Sequence, residues 1–143
     1  MEVVMRRIFL IAGLALAISA FAAPAVWAGS PHFVNNAFSI TRTDNTLTVS
    51  GKEAGLGDEA QVHIVVSATG LCINPGGKHP KAVNKEDVSA EGDFPVQNGK
   101  ANFSLSLTAT FQPNCSPPMT VAFTDVTVTD ETNGISRRIP GTF

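Results

Sequence analysis

The side chains able to do chemistry are few. The chain has two cysteines, Cys72 and Cys115, and three histidines, His32, His63 and His79. A thiol becomes a nucleophile or a metal ligand in a CxxC pair or a Cys/His cluster, and neither spacing occurs here. The histidines form no HxH or HxxxH pattern, so no metal centre is expected. His63 alternates with apolar residues and belongs on the wet face of a strand, His79 sits in the loop-like Gly77-Lys78-His79-Pro80, and His32 lies close to the start of the mature chain. The GxSxG, HExxH and P-loop patterns do not occur, which leaves no nucleophile elbow, zinc-protease helix or phosphate cradle. Glu53, Asp58, Glu59, Asp125 and Asp130 read as solvated loop charges. Asp44-Asn45 and Asp130-Glu131-Thr132-Asn133 carry oxygen donors of the kind Ca²⁺ takes, but they match no EF-hand, and acidic turns ordinarily only solubilise. No catalytic, cofactor or metal residue is assigned, and the chain is expected not to be an enzyme.

The elements that position these residues begin after a leader. Arg6 and Arg7 precede an apolar run over residues 8–21, Pro24 breaks it, and Ala25-Val26-Trp27-Ala28 fits a signal-peptidase pocket. Residues 1–28 are therefore expected to be a signal peptide, cleaved before Gly29, and residues 29–143 one domain. The run is short of the about 20 apolar residues that span a bilayer, so no membrane span is expected once the leader is removed. Taking away Arg6, Arg7 and Glu2 leaves 8 Lys+Arg against 11 Asp+Glu, a balance that offers nucleic acid no basic patch.

Export changes the meaning of the cysteines. In an oxidising compartment an even count of two implies a disulfide, Cys72–Cys115, that closes the domain. In the chain-entropy model a loop of that length stabilises by roughly 4 kcal/mol.

The mature part reads as all-β. It holds 13 Thr and many Val, and its apolar residues recur at period two. Ala101, Phe103, Leu105, Leu107, Ala109 and Phe111 alternate with Asn102, Ser104, Ser106, Thr108 and Thr110. A helix would spread those groups around its whole cylinder. Strands are likewise expected over 38–43 and 46–50 around an Asp44-Asn45 turn, over 61–69, over 88–96 at a sheet edge, over 120–129 and over 135–139. Asn98-Gly99 and Asn133-Gly134 mark tight turns. The alternation slips between Phe123 and Val126, which predicts a β-bulge near Asp125. The sum is an immunoglobulin-like antiparallel sandwich of about seven strands.

All seven aromatics of the mature part are Phe. Sugar platforms favour rings with a polar handle, so aromatic carbohydrate recognition is disfavoured. Two expectations attach to the segment from Lys52 to Glu59: a loop whose glycines take positive φ while Leu56 plugs the sandwich end, or a binding loop. Candidate binding-loop positions are Leu56, Asn74, Lys78, His79 and Lys85.

Ser30-Pro31-His32-Phe33-Val34, Lys52-Glu53-Ala54-Gly55-Leu56-Gly57, Cys72-Ile73-Asn74-Pro75-Gly76-Gly77 leading to Asn84-Lys85-Glu86, Phe123-Thr124-Asp125-Val126 and the terminal Pro140-Gly141-Thr142-Phe143 occur in that order. In this the chain resembles a family of small exported bacterial proteins, typically a signal peptide followed by one β-rich domain with two cysteines. The resemblance implies an exported β-domain and brings no catalytic or binding residues. Leu71 stands where the family pattern has an aromatic before the first cysteine. The function expected is that of a secreted or cell-surface interaction module with an extracellular or envelope partner and no cofactor. The alternative is a small secreted hydrolase or protease inhibitor, whose inhibitory loop would be residues 113–118.

Overall fold

Alternation of buried and exposed side chains along nearly every strand fixes the architecture. A computed structural model describes residues 29–74 and 84–143. The expected signal peptide, residues 1–28, and the candidates Lys78 and His79 lie outside the described residues. Among the described residues the strands are β1 (His32–Phe33), β2 (Ser39–Thr43), β3 (Thr46–Ala54), β4 (Gln61–Ile73), β5 (Lys85–Pro95), β6 (Ala101–Thr108), β7 (Thr120–Asp130) and β8 (Ile135–Ile139), with a 3₁₀ turn at Asn35–Ala37. All pairings are antiparallel. In one sheet β3 is central, with β1 and β2 along one edge and β6 along the other; the second sheet runs β5-β4-β7-β8. Strands distant in sequence thus share a layer, as in immunoglobulin-like sandwiches. Among the described residues no helix is long and apolar enough to cross a membrane.

The expected strands form, and several run further than their local pattern indicates. β3 continues to Ala54 and β4 to Ile73, while β5 begins at Lys85 and pairs with β4 along its whole length. β5 has no buried residue and lies at the sheet edge, as its Gly92 and Pro95 predict. β6 ends at Thr108, yet Ala109 and Phe111 still face inward. The bulge forms where β7 shifts register, with Ser67 opposite Thr127 and Thr69 opposite Thr124. Asp125 takes φ +54° there, and the extra residue lets Val121 and Phe123 face the core on one side of it and Val126 and Val128 on the other.

The core lies between the sheets. Leu47, Val49, Val62, Ile64, Val66, Leu107, Phe123, Val126 and Val128 are fully buried, each worth about 1.5–3 kcal/mol of burial. Phe103 is packed by Phe33, Phe38 and Phe94 with ring centroids 6.1–6.3 Å away. Gly51 makes room for them: a Cβ there would stand 2.5 Å from Phe103 Cζ. The outer face of the first sheet is hydroxylic. Thr46 pairs with Thr108 at 3.0 Å, and Thr48 with Ser106 and Ser50 with Ser104 at 2.9 Å.

The Asn98-Gly99 turn carries the expected conformation, whereas Asn133-Gly134 closes a longer β7–β8 turn over residues 131–134 in which Gly134 alone takes positive φ. Asn98 and Gly99 both take positive φ, at 53° and 72°, inside a hairpin closed by Gln97 and Lys100. Gly55 and Gly57 also take positive φ. Cys72 and Cys115 are bonded with their Cα atoms 5.7 Å apart. The bridge joins the end of β4 to the crossover between β6 and β7. It therefore pins a loop to one sheet rather than clamping the two inner faces together.

Candidate functional site

The two ends of the sandwich differ in chemistry. At one end, β3, β6 and β7 are joined near the disulfide; at the other lie the end of β3, the start of β4, the end of β5 and the β7–β8 turn. The second end gathers carboxylates around one histidine.

Register places this group. On the outer face of the second sheet His63 of β4 stands directly opposite Asp93 of β5, and Glu91 lies two residues away on the same face. The β7–β8 turn is tied to the same strand, because Glu131 N donates to His63 O at 2.9 Å and His63 N donates to Thr132 Oγ1 at 2.8 Å. The imidazole Nδ1 is 2.8 Å from Asp93 Oδ1, and Nε2 is 3.0 Å from Glu91 Oε2 and 3.8 Å from Glu131 Oε2. The hydrogen bonds to Glu91 and then Asp93, with the charges of both carboxylates, push the ring from 6.5 up to about 9 against an opposing desolvation. Nε2, Glu91 and Glu131 offer ligand atoms that all lie within 4.8 Å of one another. His63 does sit on the wet face of its strand, as expected, but its ring is engaged at both nitrogens.

Behind this surface lies a second carboxyl pair, and here the sequence reading is corrected. Glu53 and Asp130 are not solvated loop charges; both are completely buried. Glu53 takes the next inward position of β3 after Leu47, Val49 and Gly51, and Asp130 takes the one after Val126 and Val128 in β7. That continued alternation was the available signal. Asp130 is well supplied: Oδ1 accepts from Thr132 N at 2.8 Å and Asn133 N at 3.3 Å, and Oδ2 accepts from Asn133 Nδ2 at 2.7 Å. Asn133 Nδ2 also reaches Glu59 Oε2 at 3.1 Å. Among the described residues neither oxygen of Glu53 has a donor, so the bond open to it is the one its own proton makes to Asp130. Burial, strengthened by that bond and by the charges of Asp130 and Glu59, pushes the Glu53 carboxyl up to about 8. At neutral pH Glu53 is a neutral acid that donates into the core, and the pair avoids placing two adjacent negative charges out of water.

The candidate binding positions divide between the two ends. Leu56 is 3% exposed and packs in the core beside the carboxyl end, so it is the plug of the two expectations for its loop and offers no surface to a partner. Asn74 and Lys85 are exposed at the disulfide end, where Lys85 pairs with Leu71. Beside them, Gln112, Pro113, Asn114, Ser116, Pro117 and Pro118 are all exposed around Cys115. This loop is held by its bridge to the buried Cys72, by Ala109 N donating to Asn45 O at 2.9 Å and by Thr110 N donating to Glu86 Oε2 at 2.6 Å. An open groove of about 490 Å³ runs between it and the β2–β3 turn, with Arg42, Asp44, Asn114 and Met119 along its walls.

No protein-family model matches the chain, and no curated protein or solved structure matches it either.

Proposed function

We propose that the chain is an exported, non-catalytic interaction domain, working outside the cell or at its envelope, and that it meets its partner through residues 112–118. The observation that carries this reading is that loop: six exposed residues around a cysteine bonded to the buried end of β4. A loop held in one shape loses little conformational entropy on binding, a saving of about 0.5–1.5 kcal/mol for each side chain already ordered. The groove beside it adds Arg42 and Asp44 as charged groups and Met119 as an apolar one. The bridge itself supports an oxidising location, since such bonds persist outside the cytosol, and the signal-like leader supports export.

The test is capture from the envelope and culture medium of the producing cell with the mature domain, residues 29–143, as bait. A variant in which residues 116–118 become Gly-Ser-Gly, leaving Cys115 in place, serves as the comparison. A partner retained by the native domain and lost by the variant supports the reading. A partner retained equally by both, or none at all, overturns it.

The same pinned loop favours protease inhibition as a second reading, because a stiff exposed segment is what enters a protease cleft. A panel of secreted serine and cysteine proteases separates the two: inhibition lost with the loop variant selects this reading, and inertness rejects it.

A further inference from the structure

We propose that His63, Glu91 and Glu131 form a surface site for a divalent transition-metal cation of the Zn²⁺ class, with Asp93 orienting the imidazole. This rests on the carboxyl end of the sandwich alone and is independent of the loop proposed as the contact surface.

The ligand atoms converge from three separate elements, β4, β5 and the β7–β8 turn, within 4.8 Å of one another. Tetrahedral Zn²⁺ with ligands at about 2.0–2.1 Å separates neighbouring ligand atoms by roughly 3.3 Å. The spacings from Nε2 to Glu91 and Glu131, 3.0 and 3.8 Å, bracket that value. The two exposed glutamate side chains close on one ion by small rotamer adjustments, since their oxygens already lie within 4.8 Å of each other and of Nε2.

Asp93 supplies the outer support. A metal-bound histidine commonly gives its other N–H to a carboxylate, which fixes the tautomer and raises the basicity of the ligating nitrogen. The 2.8 Å contact between Nδ1 and Asp93 Oδ1 has that form and leaves Nε2, which is near both Glu91 and Glu131, to the metal. The bonds from Glu131 N to His63 O and from His63 N to the Thr132 hydroxyl hold the turn in place without any ion.

Charge and donor type narrow the ion. Three carboxylates around the His63 imidazolium sum to −2, and a divalent cation that takes the place of the Nε2 proton, released to solvent, brings this to −1. One imidazole nitrogen with carboxylate oxygens suits Zn²⁺ and its first-row neighbours, whereas Ca²⁺ and Mg²⁺ take oxygen ligands. Glu91 and Glu131 have side-chain exposures of 66% and 58%, so the remaining coordination positions open to water or to a donor group of another molecule. The sequence could not show this site by spacing, because no two of its ligands lie on one helical or strand repeat.

The test uses the mature, disulfide-bonded domain freed of metal with a chelator, titrated with ZnCl₂ by calorimetry and followed by ¹⁵N NMR of the histidine rings. The expected result is one Zn²⁺ per chain, a change at the His63 Nε2 resonance, no change at His32, and no competition from excess CaCl₂ or MgCl₂. His63→Asn abolishes the binding. Asp93→Asn weakens it about 10–100-fold, the usual cost of removing an outer-shell partner. His32→Asn leaves it unchanged. Zn²⁺ that binds equally to His63→Asn, or a native His63 ring that keeps both protons under saturating ZnCl₂, overturns the proposal. The ring would then be an imidazolium held by ion pairs only. The native NMR titration decides the matter even if a variant folds poorly.

Discussion

Glu53 and Asp130 meet inside the sandwich, one from each sheet and both without solvent exposure, and among the described residues the hydrogen bond open to Glu53 is the one its own proton makes to Asp130. A buried charge without a partner is costly, so the pair is stable only while it holds that proton. Asp130 keeps its three donors from the β7–β8 turn, and the turn in turn carries Glu131 to His63. The interior pair thus supports the geometry of the exposed group.

The pair makes stability depend on pH. The Glu53 carboxyl is raised from 4.5 to about 8, so between those values the folded chain holds a proton that the unfolded chain has released. Stability from this group is complete below pH 4.5 and is lost as pH rises through 8. In Glu53→Gln the amide N–H donates to Asp130 at every pH. Thermal unfolding of the metal-free protein between pH 4 and 9 is expected to show a falling melting temperature in the native chain and a flatter profile in the variant. At pH 8.5 the variant gains on the order of a few kcal/mol. His63, raised from 6.5 to about 9, adds a decline in the same direction that both proteins share. Parallel profiles would show that Glu53 is not the titrating group.

The disulfide holds the crossover loop and shortens the unfolded chain. Replacing Cys72 and Cys115 together with Ser is expected to cost about 4 kcal/mol, measured by urea unfolding of residues 29–143. In the native protein neither thiol reacts with iodoacetamide until a reductant is added, in keeping with the bonded pair.

Leu56 plugs the carboxyl end. Leu56→Ala leaves a cavity between the sheets and is expected to lower stability by about 2–5 kcal/mol in the same assay, with partner capture unchanged. A stability change below about 0.5 kcal/mol would return this residue to the surface.

Gly51 is the gap into which Phe103 packs. The Cβ of Gly51→Ala stands 2.5 Å from Phe103 Cζ and 3.1 Å from Phe38 Cδ1, so the ring cluster must move. The expected loss is about 1–3 kcal/mol, and Gly51→Ala combined with Phe103→Leu recovers part of it.

Much of the fold was legible because alternation is local. The dry faces of β4 and β6, the edge position of β5, the bulge at Asp125 and the Asn98-Gly99 turn all follow from residues within a few places of one another. The pairing of Cys72 with Cys115 followed from their number. Glu53 and Asp130 were misread because residue type was weighed above position: each is charged, yet each continues an inward-facing series.

By itself the sequence determined that the chain is a two-sided β-domain with one bridge, since the face a side chain takes is set by its own polarity and by the two-residue repeat of extended backbone. Only the tertiary structure decided which strands lie side by side, and with them that His63 meets Glu91, Asp93 and Glu131, that Glu53 meets Asp130, and that the bridge fixes a loop at the opposite end. Those meetings depend on register and sheet packing between segments far apart in the chain, which no local repeat encodes.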